Sequence, residues 1–553
     1  MLAIITVLVY LSSTLLLMSI SLLRPRFRFS WLIAAMASLA GWIMTLLLFP
    51  GGGEASPAIY FLPAWSPQSN IATELSVRVD AVSWAVAMAM ASLCLASILT
   101  DAARPGERNW SSWSGSLALT GLAMLAALAG SPVVLLLAWT ALDLAEVLVL
   151  LAQGYASRSS EPVVVIFSIR LTGSLVCVGG MLHAAAAGDS LAFDQMTSIS
   201  VIYLLLGAGL RLAVLPFYPP LGDSFLAGRS LRTIFHLAPV AACLVLLVRI
   251  AQVEIPASSA AFILFSLGVV AAFSAFAWIT SSHGFNGRRY WSMGMACLAA
   301  ASSLRQQPDA SLAWSLALLL PGGLLLLSDV IRTDIPSKNL RRLQFLLTGL
   351  GLLGLLALPY TPAWNGLFLY TAPETASGGA RLAGFFSGLA IFVFFPAAHA
   401  LLAGGYARHF LRRSLVSASG DIQRWDWTLY LAGLFLLSLV QFGILARIGL
   451  LLQGPAWNLH WPLLVTAALT GLGFVWFRNE QRGKYRAVRR LGQAIVRFVS
   501  FGWLTQVFDL FYRMAKQATG FISTILEGEG GVLWALLLLV LLLTVIAGGG
   551  TGP

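Results

Sequence analysis

The apolar runs in the first half of this sequence contain ionisable side chains, among them Asp143, Glu146, Arg170, Arg211 and His236. A charged residue inside a membrane-spanning helix is energetically expensive and usually faces the protein interior. A carboxylate and a cation shift each other's pKa, so a displaced charge can push a proton along. Histidine, whose ordinary pKa lies near neutrality, is a natural proton carrier. These side chains are therefore candidates for a proton path, or alternatively for structural ion pairs and a satisfied core histidine.

The elements that must position these side chains are membrane spans, because the composition is that of a polytopic membrane protein. Hydrophobic residues make up 58% and charged residues 10% of the 553 positions, with a mean hydropathy of +0.85, whereas about a quarter of soluble-domain residues are charged. Apolar runs near the roughly 20 residues that cross a bilayer predict an all-α fold. About sixteen spans are predicted, at 2–23, 29–49, 79–100, 111–130, 132–152, 162–186, 199–219, 232–251, 259–281, 290–304, 311–331, 342–360, 383–404, 427–446, 461–477 and 531–548.

Membrane topology, rather than nucleic-acid binding, explains the net charge of +12. Basic residues concentrate in the loops after odd-numbered spans, while the loops 50–77 and 187–198 carry few. By the positive-inside rule the basic loops face the cytoplasm and both termini lie outside. We expect a multi-pass protein of the inner (plasma) membrane of the cell. All four cysteines fall inside apolar runs without metal-ligand spacing.

Two proline-interrupted segments break the succession of spans. The first, 203–236, is interrupted from Pro216 onward, and the second, 342–366, is interrupted from Pro359 onward. Prolines free backbone carbonyl groups, which protein or water must satisfy at membrane depth. Because the segments lie five spans apart and run in opposite directions, they predict inverted repeats of the kind found in transporters. The alternative is that these prolines only mark the ends of ordinary helices.

The segment 478–530 is predicted to be a lateral amphipathic helix. Its apolar residues, among them Val488, Leu491 and Ile495, recur at helical period between Arg and Gln. It is either a surface anchor for this chain or a strap that contacts neighbouring subunits. The chain then divides into N-terminal spans (1–110), a first half-channel repeat (111–251), a second inverted repeat (259–404), C-terminal spans (427–477), the lateral helix (478–530) and a final span (531–553).

Short motifs occur along the chain in a fixed order. The stretch GLRLAVLPFYPPLGDS stands before TIFHLA. It resembles the seventh and eighth spans of the antiporter-like membrane subunits of respiratory complex I and the multisubunit cation/proton antiporters. Pro216, Asp223 and His236 keep that family's pattern, and Arg211 occupies its lysine position. The motifs VRVDAVS, SIRLTG and RRYWSMG are also similar and place Asp80, Arg170, Arg289, Tyr290 and Ser292. The lateral helix before a last span resembles the distal, longer member of the family.

The resemblance implies a proton- or cation/proton-translocating subunit of a complex-I-like NADH:quinone oxidoreductase or of a multisubunit antiporter. Its partners would be other membrane subunits, the lipid bilayer and H+ or Na+. No phosphate-binding glycine loop, zinc-ligand spacing or nucleophile–base pattern occurs in the sequence. We therefore expect no cofactor in this chain, and any redox chemistry to occur in partner subunits.

The first half departs from the family at its fifth span. Thr140 stands where the family's glutamate is expected, and Asp143 and Glu146 follow at spacings of three. That spacing predicts all three near one face of the helix. An acidic partner for Arg211 would then have moved along the helix by one or two turns.

The second half departs further. Leu320 stands near the eleventh-span lysine position, and Trp364 and Asn365 stand where relatives often carry Ser–Lys. His399 and Asp329 also lie within spans, without an assigned counterpart. Two hypotheses remain: translocation through the first half, or a structural subunit that keeps the fold and has lost the lysine relay.

Overall fold

The computed structural model shows a chain built almost entirely of α-helices. The residues it describes are 2–24, 29–49, 58–61, 75–101, 109–152, 161–189, 191–193, 195–214, 229–281, 284–328, 338–371, 381–411, 424–447 and a few separate positions between 466 and 540. The chain forms two compact units, Met1–Gly492 and Gln493–Pro553. All helices and strands with defined bounds lie in the first unit.

The described ranges contain fifteen α-helices. They are α1 (Leu2–Leu23), α2 (Ser30–Leu47), α3 (Ala81–Thr100), α4 (Trp110–Ala127), α5 (Pro132–Ala152), α6 (Glu161–Ala187), α7 (Ser198–Arg211), α8 (Arg229–Ile250), α9 (Ala257–Thr280), α10 (Gly284–Leu304), α11 (Pro308–Ser328), α12 (Lys338–Leu355), α13 (Arg381–Leu389), α14 (Phe395–Leu411) and α15 (Arg424–Arg447). A 3-10 helix, Asn365–Tyr370, follows α12, and a π-helical segment, Ala390–Phe394, joins α13 to α14.

This architecture confirms the predicted all-α membrane fold. Helices α1 to α12 coincide in order with the first twelve predicted spans, the continuous helix 381–411 with the thirteenth and α15 with the fourteenth. In the described part of the chain, ten helices are long and apolar enough to cross a membrane. The lateral helix 478–530 and the spans 461–477 and 531–548 lie almost wholly outside the described residues, and the division into six parts stays a prediction.

A short β-hairpin lies near the loop between α2 and α3. Strand β1 (Ala58–Phe61) pairs antiparallel with β2 (Ser76–Val79). The chain passes from β2 into α3 through Asp80, whose carboxylate accepts a 2.8 Å hydrogen bond from the N–H of Ser83. The Ser83 hydroxyl accepts in return from the N–H of Asp80, which makes a capping box and fixes the start of α3.

Helices α3, α8 and α11 form the centre of the first unit, and nearly all of their residues are buried. Helices α1, α2 and α6 leave most of their residues at least partly exposed, including large apolar side chains such as Leu15 and Leu182. An apolar helix surface of this kind faces lipid or a neighbouring membrane protein. The ionisable residues of the first half therefore lie where the helices α5 to α7 meet the buried helix α8.

In both proline-rich segments the chain leaves its helix through an alanine in the left-handed conformation. Helix α7 ends at Arg211, and Ala213 takes a left-handed conformation with φ of 60°. The N–H of Val214 donates to the carbonyl of Gly209, a Schellman turn in which glycine is the usual residue. Helix α12 ends at Leu355, and Ala357 has φ of 52°. Each helix therefore ends before the first proline of its segment, and whether the prolines interrupt a span or follow an ordinary helix end stays a prediction.

Candidate functional site

Close packing of α6 against α7 brings the candidate charges together. A Cβ added to Gly173 would lie 2.8 Å from the Cγ of Arg211 and 2.8 Å from the carbonyl oxygen of Gly207. Only glycine at position 173 leaves room for the arginine side chain to pass between the helices. The last residue of α7 can then reach Asp143 on α5, across the surface of α6.

Arg211 is held in a fixed position by Asp143. Its Nη1 and Nη2 donate to Oδ2 and Oδ1 of Asp143, both at 2.7 Å. Its Nη1 also donates to the Ser174 hydroxyl at 3.0 Å and to the carbonyl of Arg170 at 3.2 Å, and its guanidinium lies 4.5 Å from the ring centre of Trp139. Two parallel charge-assisted bonds of this kind give a strong and directional pair. Both side chains are almost fully buried.

The second ion pair, Arg170 with Glu146, is bound less symmetrically. Nη1 of Arg170 contacts Oε2 of Glu146 and lies 3.7 Å from Oδ1 of Asp143. The other carboxylate oxygen of Glu146 is buried and has no hydrogen-bond partner among the described residues. The Arg170 side chain is 16% exposed, against 3% for Glu146. The cluster is neutral in sum, with two carboxylates and two guanidiniums, but one oxygen is left available.

A cavity of about 100 Å³ adjoins this cluster. Its lining includes Arg170 and Arg211 together with His236, Arg289 and Ser292. A single water needs about 10–15 Å³ of such volume, so the cavity has room for several waters. Arg170, Arg211 and His236 therefore line one cavity, although they lie on three different helices.

His236 is positioned by α10. Its Nε2 lies 2.5 Å from the Ser292 hydroxyl and 3.3 Å from the carbonyl of Arg288. The Ser292 hydroxyl also donates to that carbonyl at 3.0 Å. Pro239 lies inside α8 and also lines the cavity. Because proline lacks an N–H, the carbonyl of Phe235, one turn earlier, is left without its helical donor beside this cavity.

The structure brings together the predicted residues Asp143, Glu146, Arg170 and Arg211, and places His236 on the same cavity. The expectation for Thr140 was wrong: its side chain is exposed and its hydroxyl donates to the carbonyl of Leu137. Three residues per step advance a 3.6-residue helix by less than a full turn, so position 140 has rotated out of the buried face. Pro216 and Asp223 lie outside the described residues.

Asp80 belongs to a different cluster, at the start of α3. Nε of Arg78 lies 2.8 Å from its Oδ2, and Nη1 of Arg249 lies 3.3 Å from the same oxygen. Burial acts to raise the pKa of Asp80, but the charge of Arg249, the hydrogen bonds of Ser83 and the charge of Arg78 outweigh it and lower the pKa below its ordinary value. This arrangement fixes a helix end and is remote in sequence from the α5–α7 cluster. Pro359 lies in the turn that follows α12.

Two contributors to the site carried only weak signals in the sequence. Ser174 lies one helical turn after Arg170, a spacing that places both on one face, but serines are common in these spans. Trp139 precedes Thr140 and supplies an aromatic face to Arg211, which is a favourable setting for a buried guanidinium. Among the residues that the structure describes, no group of three or more His, Cys, Asp or Glu side chains is arranged to hold a metal ion.

No protein-family model and no curated protein matches the sequence. Solved structures do match. A chain of the Mrp complex from Dietzia sp. DQ12-45-1b has a TM-score of 0.74 and 16% identity over 100% of this chain, which spans 63% of its length. A chain of the membrane-bound sulfane sulfur reductase, an archaeal respiratory membrane complex, gives 0.67 and 13% over 98% of this chain and 99% of its own length. A chain of respiratory complex I from Thermus thermophilus gives 0.56 and 18% over 80% of this chain and 98% of its own length.

At these identities the likeness establishes the fold. The neighbours are chains of multisubunit membrane complexes, of the kinds that the sequence motifs resembled. The resemblance is thus confirmed at the level of the fold, and the chain is a multi-pass membrane protein. Its membrane of residence and the orientation of its termini stay predictions.

Proposed function

We propose that this chain is an antiporter-like subunit of a multisubunit membrane complex and moves protons, or exchanges a cation for protons, through its first half. The observation that carries the proposal is the cavity lined by Arg170, Arg211 and His236. Ionisable groups buried at membrane depth and grouped around space for water are typical of proton relays. The assembly would be a complex-I-like NADH:quinone oxidoreductase or a multisubunit antiporter, in which redox chemistry belongs to other subunits.

The two ion pairs have different tasks in this proposal. Arginine stays protonated under working conditions, and both oxygens of Asp143 are bound to Arg211. The Asp143–Arg211 pair therefore acts as a fixed dipole. Glu146 has one unpaired oxygen, so it is the carboxylate that can take up a proton without breaking a bidentate contact.

Protonation of Glu146 changes the charge that the cavity experiences. Arg170 then loses the charge of Glu146, with which it makes its shortest ion pair, while Asp143, at 3.7 Å, is already bound to Arg211. The positive charge of Arg170 beside the cavity is then less compensated, which disfavours a proton on the nearby His236. Proton uptake at Glu146 is therefore coupled to proton loss at His236, and the reverse step resets the pair.

The alternative, a structural subunit that no longer conducts, has its own support. The bidentate Asp143–Arg211 pair is typical of a rigid internal strut, and Leu320 is fully buried near the position where relatives carry a lysine. Under this hypothesis the cluster of two carboxylates and two guanidiniums only neutralises charges between α5, α6 and α7. The lateral helix would then hold neighbouring subunits together.

Ion flux in proteoliposomes holding the purified assembly separates the two functions. We expect Glu146→Gln and His236→Gln each to lower proton flux at least about tenfold, equivalent to about 1.4 kcal/mol in the barrier, with the assembly intact. Glutamine preserves the volume of each side chain and removes its titration. Replacement of Na+ by choline in the same vesicles tells cation exchange from proton movement alone.

Two matched controls keep this test specific. Glu254→Gln changes an exposed carboxylate in the turn after α8, and His183→Gln changes an exposed histidine on α6. Both are expected to leave flux unchanged. Equal flux in the wild type, Glu146→Gln and His236→Gln would exclude the proposed path and leave the structural function.

A further inference from the structure

The second half of the chain contains a cluster of polar side-chain atoms that the protein does not satisfy. Nδ1 of His399, Nε1 of Trp314 and both amide atoms of Asn365 are buried and have no hydrogen-bond partner among the described residues. The three residues are each at most 2% exposed. Buried polar groups are nearly always hydrogen-bonded, so each exception requires an explanation such as ordered water.

These side chains come from three elements that meet at the end of α12. The rings of Trp314 on α11 and His399 on α14 lie 4.7 Å apart, centre to centre, in an edge-to-face arrangement. Asn365 begins the 3-10 helix, and a Cβ on the next residue, Gly366, would lie 2.9 Å from Nε1 of Trp314. The absence of a side chain at Gly366 therefore lets the backbone next to Asn365 pack directly against the indole of Trp314.

The hydrogen bond on the far side of the histidine fixes its tautomer. Nε2 of His399 lies 2.7 Å from the carbonyl oxygen of Leu355. A carbonyl only accepts, so Nε2 carries the hydrogen, and Nδ1 of the neutral ring presents a lone pair. His399 thus holds the broken end of α12 with one nitrogen and offers an acceptor with the other.

The donor and acceptor types decide what this cluster binds. Nε1 of Trp314 and Nδ2 of Asn365 donate, whereas Oδ1 of Asn365 and Nδ1 of His399 accept. A cation is bound through acceptors and an anion through donors, whereas this cluster presents two of each. Water makes two to four hydrogen bonds and takes both kinds of partner.

We propose that Trp314, Asn365 and His399 form a buried water-binding site at the end of α12, in the second half of the chain. The site rests on this geometry alone. A role for this water-binding site in proton movement rests on the proposed function. The second half of the chain then has a neutral, hydrated site in the region where relatives carry a lysine. His399 stands beside Tyr370, 6.3 Å away between ring centres, and the Arg305 guanidinium donates to the neighbouring carbonyl of Leu369.

Radiolytic hydroxyl-radical labelling of the purified assembly tests the site, because radicals formed from bound water oxidise the side chains that touch it. We expect Trp314 to be labelled several-fold faster than Trp278, which is equally buried but whose Nε1 donates to the carbonyl of Leu402 at 3.2 Å. Asn365→Leu removes both amide atoms at similar volume and is expected to lower Trp314 labelling to the rate of Trp278.

Equal labelling of Trp314 and Trp278 in the wild type would overturn the proposal, and this comparison needs no variant. Labelling that falls when NaCl replaces choline chloride would also overturn it, because a bound cation would then occupy the site. No ion gradient is present during labelling. A failure of the proposed transport function therefore leaves this result unaffected, and the two proposals can fail separately.

Discussion

The end of α7, here called the first break, is surrounded by charged side chains: two guanidiniums and two carboxylates. The end of α12, the second break, is surrounded by a histidine, an indole and an amide. The backbone is nevertheless alike at both places. Each helix is followed, two residues after its last, by an alanine in the left-handed region, Ala213 or Ala357. The first break is charged and compensated, while the second is neutral and dipolar.

This difference distinguishes the groups that complete the two helix ends from the charged groups to which the proposed function assigns proton movement. The last carbonyls of a helix need partners wherever it stops. The Schellman turn supplies them after α7, whereas after α12 the ring of His399 binds the carbonyl of Leu355 and the N–H of Ala363 returns to Gly354. Neither solution uses a lysine. The fold therefore keeps both helix ends in a chain that has the apolar Leu320, rather than a lysine, in α11.

The largest loss of stability is expected from a substitution at the charged break, at the end of α7. Asp143→Ala leaves the Arg211 guanidinium buried without its bidentate partner, so we expect the free energy of unfolding to fall by about 3–5 kcal/mol. Thermal unfolding of the detergent-solubilised protein, followed by tryptophan fluorescence, measures this change.

The double variant Asp143→Leu/Arg211→Leu shows whether the loss comes from an unpaired charge. It removes both charges of the fixed pair and leaves Glu146 with Arg170. Replacement of a buried ion pair by apolar residues is often neutral or stabilising, so most of the stability should return. A double variant as unstable as Asp143→Ala would mean that the pair's hydrogen bonds, rather than charge balance, hold α5 to α7.

A smaller loss of stability is expected from a substitution at the neutral break, at the end of α12. His399→Leu leaves the Leu355 carbonyl buried without its donor, which costs about 1–3 kcal/mol. The same fluorescence measurement applies, with His183→Leu on the exposed face of α6 as the control. A loss as large as that of Asp143→Ala would contradict the distinction between a charged and a neutral helix end.

The sequence predicted more of the first break than of the second. An arginine in an apolar run, with acids three residues apart on another span, indicates a buried pair, and Arg211 with Asp143 confirmed it. Which carboxylate would be bidentate depends on the approach of α6 to α7 at Gly173, which has no sequence period. His399 could not be assigned, because its partner is a backbone carbonyl of a distant helix. Thr140 was misplaced because a spacing of three drifts around a helix.

The smallest change in stability is expected at the left-handed alanine that follows each of the two helices. A left-handed alanine costs roughly 1–2 kcal/mol relative to an ordinary conformation, and glycine removes that cost. Ala208 on α7 and Ala317 on α11 are buried alanines with helical geometry, so their glycine variants lose the same methyl group and gain the same chain entropy. We expect Ala213→Gly to be about 1–2 kcal/mol more stable than Ala208→Gly, and Ala357→Gly to exceed Ala317→Gly by a similar amount. A difference at one break alone would show that the two helix ends, for all their similar dihedral angles, are held by different forces.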